Sequence, residues 1–266
     1  MGLTAPVVGI VGGTGKMGAW LARLLEERGL SVLRTSRRTE LTPAEMAQKS
    51  DVVVVSVPIA DTVRVIREIG PLVPEEGLLM DLASLKVKPM EAMLEYSRAQ
   101  VVGLHPLFGP EVTSDRDLRV AVCPGRGKSG QKWITEILQD DGMKIAVLDP
   151  QKHDRLMGLI QGVNHLSTLA LADCISRSGF GRKELVGVST QTFEQRLDRI
   201  ASMLGQSATL FGSLLMNNPA AKGSLEDYLQ SVKRLMRMIQ NGEQQAFEEL
   251  YDALKDYFDV QESRGT

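Results

Sequence analysis

The chain has 266 residues, 43% of them hydrophobic and 24% charged, with a formal net charge of −2. That length suits one large domain or two modest ones, and the charge balance gives no electrostatic case for nucleic acid or an anionic membrane surface. The longest apolar run, near Asp51 to Ala60, is too short to span a bilayer, and no basic leader or cleavage site precedes the first strand, so no signal peptide is expected. Cys123 and Cys174 lie far apart without metal-ligand spacing, which suits a reducing cytoplasm and gives no metal site to expect.

Pro6 to Val11 is a short apolar, β-branched run leading into Gly12-Gly13-Thr14-Gly15-Lys16-Met17-Gly18. From Gly13 the spacing is G-x-G-x-x-G, placed between a predicted strand and a helix whose Trp20, Leu21, Leu24 and Leu25 recur at helical spacing. This fits a dinucleotide turn: Gly13 for the bend, Gly15 for approach of a pyrophosphate, and Gly18 for close helix–strand packing. Thr14, Lys16 and Met17 complete the turn, and the free N–H groups of the helix start face the phosphates.

The second strand, Ser31 to Thr35, ends in Ser36-Arg37-Arg38. An NAD-selective site would carry an acid about 20 residues beyond the glycines. A hydroxyl and two guanidinium groups suit a 2′-phosphate instead, so NADP is favoured over NAD. A pair of solvated surface arginines is the alternative.

Asp51 to Pro58 is a near-continuous β-branched run, as for a parallel strand covered on both faces, and its Ser56-Val57-Pro58 end should lie along the cofactor. Leu78 to Leu82 is another buried strand and delivers Asp81-Leu82-Ala83-Ser84-Leu85-Lys86. Val101, Val102 and Leu104 lead to His105, and because Pro106 cannot donate to a sheet ladder the strand should close at His105. Strands at Leu118 to Cys123 and Lys144 to Leu148 flank a helix from about Gln131 to Leu138. The alternation predicts an α/β fold, a doubly wound, mainly parallel sheet of Rossmann type over residues 1–150. Ser84 and His105 both fall just past strand ends, facing the crevice where open α/β sheets bind ligands. An imidazole there can move a proton near neutral pH.

From Gln151 onward no strand is expected, and residues 151–266 read as an all-helical domain. Helices are predicted from His153 to about Ser178, Lys183 to Leu204, Ser207 to Met216, Ser224 to Gln240 and Glu243 to Tyr257, with breaks at Asn217-Asn218-Pro219 and Asn241-Gly242. Their apolar surface exceeds what a small bundle needs, so a homodimer through this domain is expected. Intramolecular core is the alternative for each stripe. Gln161 and His165 are one turn apart on one face of the first helix. His153, beside Asp154 at its start, reads as capping or structural.

Together these residues resemble the prephenate dehydrogenase family of tyrosine biosynthesis over nearly the whole chain. The resemblance rests on Gly13 to Gly18, Ser56-Val57-Pro58, Asp81 to Lys86, the Gly103 to Pro110 stretch with its His-Pro-Leu-Phe-Gly-Pro, and His153-Asp154 followed by Gln161 and His165. It implies a monofunctional cytoplasmic enzyme, without a mutase or regulatory domain, that oxidatively decarboxylates a cyclohexadienyl substrate. It implies His105 as base toward the substrate hydroxyl and Ser84 as a partner that bonds this hydroxyl and holds the histidine. Gln161 and His165 would reach the substrate from the helical domain.

One position departs from the pattern. Where the family carries a carboxylate-binding arginine, this sequence has Ser202, with Arg199 and Arg196 one and two turns earlier. A buried carboxylate without a cation costs several kcal/mol, so Arg199 or Arg196 should serve, or the substrate should be arogenate or 4-amino-4-deoxyprephenate. A solvated helix arginine is the alternative for Arg199. Two further readings are a non-catalytic NADP sensor and an imine or 2-hydroxyacid reductase, the last of which has no need of the His105 motif.

Overall fold

The computed structural model describes residues 5–109 and 117–259, so Pro110 of the histidine motif lies outside the described residues. The valine run becomes β3 (Val52–Val55), at most 1% exposed, flanked by β1 (Val8–Val11) and β4 (Leu78–Asp81). With β2 (Val32–Thr35), β5 (Gln100–Pro106), β6 (Arg119–Pro124) and β7 (Lys144–Val147) they form one sheet in the order β2-β1-β3-β4-β5-β6-β7. Every pair is parallel except β5 with β6. Helices α1 (Lys16–Glu26) and α5 (Ser129–Asp140) cover one face through Leu21, Leu25, Ile134 and Leu138. Helices α2 (Pro43–Gln48), α3 (Ile59–Ile69) and α4 (Val87–Tyr96) cover the other through Met46, Ile66, Ile69 and Met93. Each such side chain contributes roughly 1.5–3 kcal/mol of burial. The chain leaves β1 to one side for β2 and to the other for β3, which opens a ligand crevice between the β1 and β3 ends.

The strand carrying the histidine does not close where proline chemistry suggests. Pairing of β4 with β5 stops at Asp81↔Gly103, but pairing with antiparallel β6 continues through His105↔Ala121 to Pro106↔Val120. Leu107 N donates to Arg119 O at 2.9 Å, so Pro106 falls at a non-hydrogen-bonded position and its missing N–H leaves no ladder bond unmade. His105 thereby stands two residues beyond the last β4 partner, above the sheet's carboxyl edge.

The remainder is helical: α6 (Pro150–Met157), a π-helical segment (Gly158–Val163), α7 (Asn164–Arg177), α8 (Arg182–Gly187), α9 (Gln191–Leu204), α10 (Ala208–Asn217), α11 (Pro219–Asn241) and α12 (Gln244–Tyr257). Two expectations need correction. The predicted Lys183 to Leu204 helix is two, because the Thr190 side chain accepts from Phe193 N and starts α9 afresh. The helix expected from His153 widens into a π turn over Gly158–Val163. There α11 approaches so closely that a Cβ on Gly158 would stand 3.2 Å from Ala221 Cα, and one on Gly162 would stand 3.3 Å from Ala221 Cβ. Such π turns concentrate at functional positions, and this one carries Gln161.

The α7, α8 and α12 helices bury no residue within the chain, and Val188, Met216 and Phe258 stay largely exposed. No helix among the described residues is long and apolar enough to cross a membrane.

Candidate active site

His105 is almost fully buried, and both ring nitrogens are engaged. Its Nδ1 lies 2.9 Å from Nε2 of His153, whose own Nδ1 lies 2.8 Å from Oδ1 of Asp154. Asp154 also accepts from Lys86 N at 2.8 Å and Val87 N at 3.0 Å, one amide on each oxygen. A carboxylate committed to acceptance on both oxygens makes His153 Nδ1 a donor, and in the neutral ring this leaves Nε2 as a lone pair. His105 must then donate through Nδ1, so its free lone pair is at Nε2. This tautomer follows from the hydrogen-bond network. The amide nitrogen of Gln161 stands 3.4 Å from His105 Nε2, and Gln161 Oε1 is buried without a partner among the described residues.

Beneath the imidazole lies a fully buried ion pair. Lys86 Nζ contacts Asp81 Oδ2 and donates to Leu104 O at 2.8 Å, while the same Asp81 oxygen accepts from Ala83 N at 2.9 Å. The ammonium therefore ties the end of β4 to the residue preceding His105. Burial above all, with the Lys86 charge beside it, holds the His105 pKa well below its ordinary value of 6.5. Burial raises the Asp81 carboxyl, and Lys86 opposes that rise.

The glycine turn and the ends of β2 and β3 line a crevice of about 440 Å³ that includes Thr14, Gly15, Ser36, Arg37 and Ser56-Val57-Pro58. The sharp bend belongs to Gly12 rather than Gly13: Gly12 has φ +80°, and a Cβ there would meet Ser56 O at 2.1 Å. Gly18 packs as expected, since a Cβ would meet Gly12 O at 2.4 Å. Gly15 is the N-cap of α1, no side chain caps that end, and a Cβ there would stand 3.1 Å from Gly12 O, so the missing side chain leaves the amide end clear for a pyrophosphate. The residues present fit a dinucleotide. Lys16, Met17, Gly13 and Gly18 shape the turn without lining the crevice, and Arg38 is likewise not among its lining residues.

Residues 33–145 match the model of the prephenate dehydrogenase nucleotide-binding domain, and residues 149–256 match that of the prephenate dehydrogenase dimerization domain. A Methanocaldococcus jannaschii protein named "Probable arogenate/prephenate dehydrogenase" is 30% identical over 97% of this chain and 62% of its own length. The T-protein of Enterobacter agglomerans is 30% identical over 95% of this chain and 67% of its own. The chain belongs to the prephenate dehydrogenase family. It thus spans about two thirds of the length of these relatives. Among solved structures, Synechocystis arogenate dehydrogenase shares the fold with a TM-score of 0.74, at 19% identity over 95% of this chain and 99% of that one.

Within this family framework the fold gathers His105 and Gln161 and adds two residues read differently from sequence. Nδ1 of His105 is held by His153, not by Ser84, whose side chain is half-buried in the β4–α4 turn and makes no hydrogen bond with any described residue. Capping of α6 falls to Asp149, which accepts from Lys152 N at 2.7 Å, so His153 is free to turn inward. Its adjacency to Asp154 was the available signal. His165 packs edge-on against Phe211 at 4.8 Å, and burial lowers its pKa. Arg196 and Arg199 are exposed on α9 and line a separate cavity of about 360 Å³ with Asn164, Ser167 and Thr168. Neither touches His105 or Gln161.

Proposed function

We propose that the protein is an NADP-dependent dehydrogenase that converts prephenate to 4-hydroxyphenylpyruvate and CO2. The observation that carries this reading is the His105 imidazole, kept neutral with its Nε2 turned toward Gln161 while Nδ1 is committed to His153. A dinucleotide held by Thr14, Gly15, Ser36, Arg37 and Ser56-Val57-Pro58 would supply the hydride acceptor for the carbinol carbon. His105 Nε2 accepts the hydroxyl proton as that carbon becomes a carbonyl. His153 and Asp154 hold the ring's plane and tautomer and stabilise the imidazolium that forms, the role a third group plays behind any general base. Loss of the ring carboxylate as CO2 leaves a phenolate, to which the imidazolium returns the proton, so His105 ends neutral. Gln161 and Ser84 orient the hydroxyl from the helical and sheet sides.

Ser36 and Arg37 support the choice of NADP. Ser36 Oγ accepts from Arg38 N at 3.2 Å and keeps its own proton to donate, and Arg37 lines the crevice. Arg37→Ala weakens NADP at least tenfold more than NAD in equilibrium binding; equal losses would remove the 2′-phosphate assignment. The uncovered faces of α7, α8 and α12 support a homodimer.

Arg199 is our candidate cation for the substrate carboxylate, with Arg196 behind it. Arg199→Ala raises KM at least fivefold with kcat nearly unchanged, whereas an unaltered KM transfers the role elsewhere. Ser202, exposed on α9, supports a second reading in which arogenate or 4-amino-4-deoxyprephenate is preferred. Turnover of the three substrates with NADP and with NAD decides between them, and no cofactor reduction by any would leave a nucleotide sensor.

A further inference from the structure

Asp154 is held at both ends. Its carboxylate accepts from Lys86 N and Val87 N at the start of α4, and its carbonyl oxygen accepts from Asn218 Nδ2 at 2.9 Å. Asn218 is buried and both arms of its amide are in use, because Oδ1 accepts from Ala220 N at 3.0 Å and so caps α11. Capping needs only a short acceptor, which serine supplies as well; the donation across to α6 needs the second arm of the amide. In the same turn of α11, Ala221 is fully buried against the π turn, where a Cβ on Gly162 would stand 3.3 Å from Ala221 Cβ. Gln161, beside that glycine, makes no side-chain hydrogen bond with a described residue besides the 3.4 Å contact to His105 Nε2. Its place is therefore set by the backbone of the π turn.

We propose that the first turn of α11 positions the neighbours of the His105 ring from both sides, Asn218 through Asp154 and His153 at Nδ1, and Ala221 through the π turn and Gln161 at Nε2. Asn218 and Ala221 are positioning residues, since the hydrogen bonds to the ring come from His153 and Gln161. His153 and Gln161 belong to the helical part and His105 to the sheet, so one turn that fixes both lets them meet the ring as a unit. A misplacement of about 1 Å can cost roughly 10²-fold in rate. The consequence for turnover rests on His105 being the base; the consequence for the surroundings of the ring does not.

The test uses the full chain with isotopically labelled histidine, saturated with NADP, and reads ring nitrogen shifts beside steady-state turnover of prephenate. Asn218→Ser, which keeps the cap, should move the ring signals of His153 and His105 and lower kcat roughly tenfold or more with KM nearly unchanged. Gly162→Ala should leave the His153 signals in place, move those of His105 and lower kcat. Adding Ala221→Gly, which makes room for the new methyl group, should restore both. Met238→Ala, buried near the other end of α11, should lower Tm and move neither ring. Unmoved rings in Asn218→Ser, equal shifts in Met238→Ala, or no recovery in Gly162→Ala/Ala221→Gly would each overturn the proposal. If Asn218→Ser does not fold, the Gly162→Ala variant and its rescue decide alone. Shifted rings in a protein that turns over no prephenate would uphold the positioning and remove only the dehydrogenase reading.

Discussion

Replacing His105 with asparagine lowers kcat by about 10²–10⁴-fold, the range for loss of a positioned general base, and leaves NADP affinity nearly unchanged. Asparagine is close in size and keeps an amide donor toward His153 Nε2, so the buried pocket stays filled while the proton acceptor disappears. Steady-state rates beside cofactor binding by fluorescence check it, and a variant with normal kcat sinks the assignment. The same imidazole sets a pH signature. In the unfolded chain it takes a proton near 6.5, whereas the folded protein holds its pKa well below that value. The unfolded state then binds more protons, so stability rises with pH. This contribution is full above about pH 6.5 and fades as pH falls toward the folded pKa. The acid limb of kcat/KM should accordingly lie below pH 6.5; a limb at or above that value would mean that the base is not this buried ring.

The β-branched runs made the sheet legible, because strands covered on both faces need nothing but apolar side chains: Val52 to Val55 could hardly be elsewhere. The glycine motif was legible as a ligand turn but not in its division of labour. Gly13 is the glycine that satisfies the G-x-G-x-x-G spacing, and only the φ of +80° and the closeness of Ser56 O mark its neighbour Gly12 as the bend. His105 and Gln161 were readable as chemistry-bearing residues at a strand end and on a helix. Their meeting was not, since it depends on the π turn, and that turn depends on Gly158 and Gly162 packing against Ala221 on another helix. His153 shows the limit most clearly. A histidine near a helix start beside an aspartate reads locally as a cap, and its partner lies 48 residues away on a strand. Local sequence carries capping signals well; it does not carry which of two polar neighbours a ring will turn toward.

Lys86→Met should be the most destabilising exchange in the sheet domain, at about 3–5 kcal/mol, because it breaks a buried pair from one side. Asp81 is fully buried, its Oδ1 has no partner, and without the ammonium its other oxygen keeps only the Ala83 amide. Leu104 O loses its lysine donor in the same step. Burial already pushes the Asp81 carboxyl upward against the pull of Lys86, so in the variant it takes up a proton in the folded state at a pH where the unfolded chain does not. The deficit should therefore be largest at pH 8 and shrink toward pH 5, measured by urea unfolding across that range. Asp81→Asn/Lys86→Met, which removes both charges, should recover at least half of the loss at pH 8. A single variant that loses less than about 1 kcal/mol, the range of exposed pairs, would show that the pair is solvated. Function should follow through the ring above it. Lys86 is one of the groups keeping His105 unprotonated, so in any Lys86→Met protein that remains folded the acid limb of kcat/KM moves to higher pH. The buried ion pair thus fixes the end of β5 and, through its charge, the protonation of the base that β5 presents.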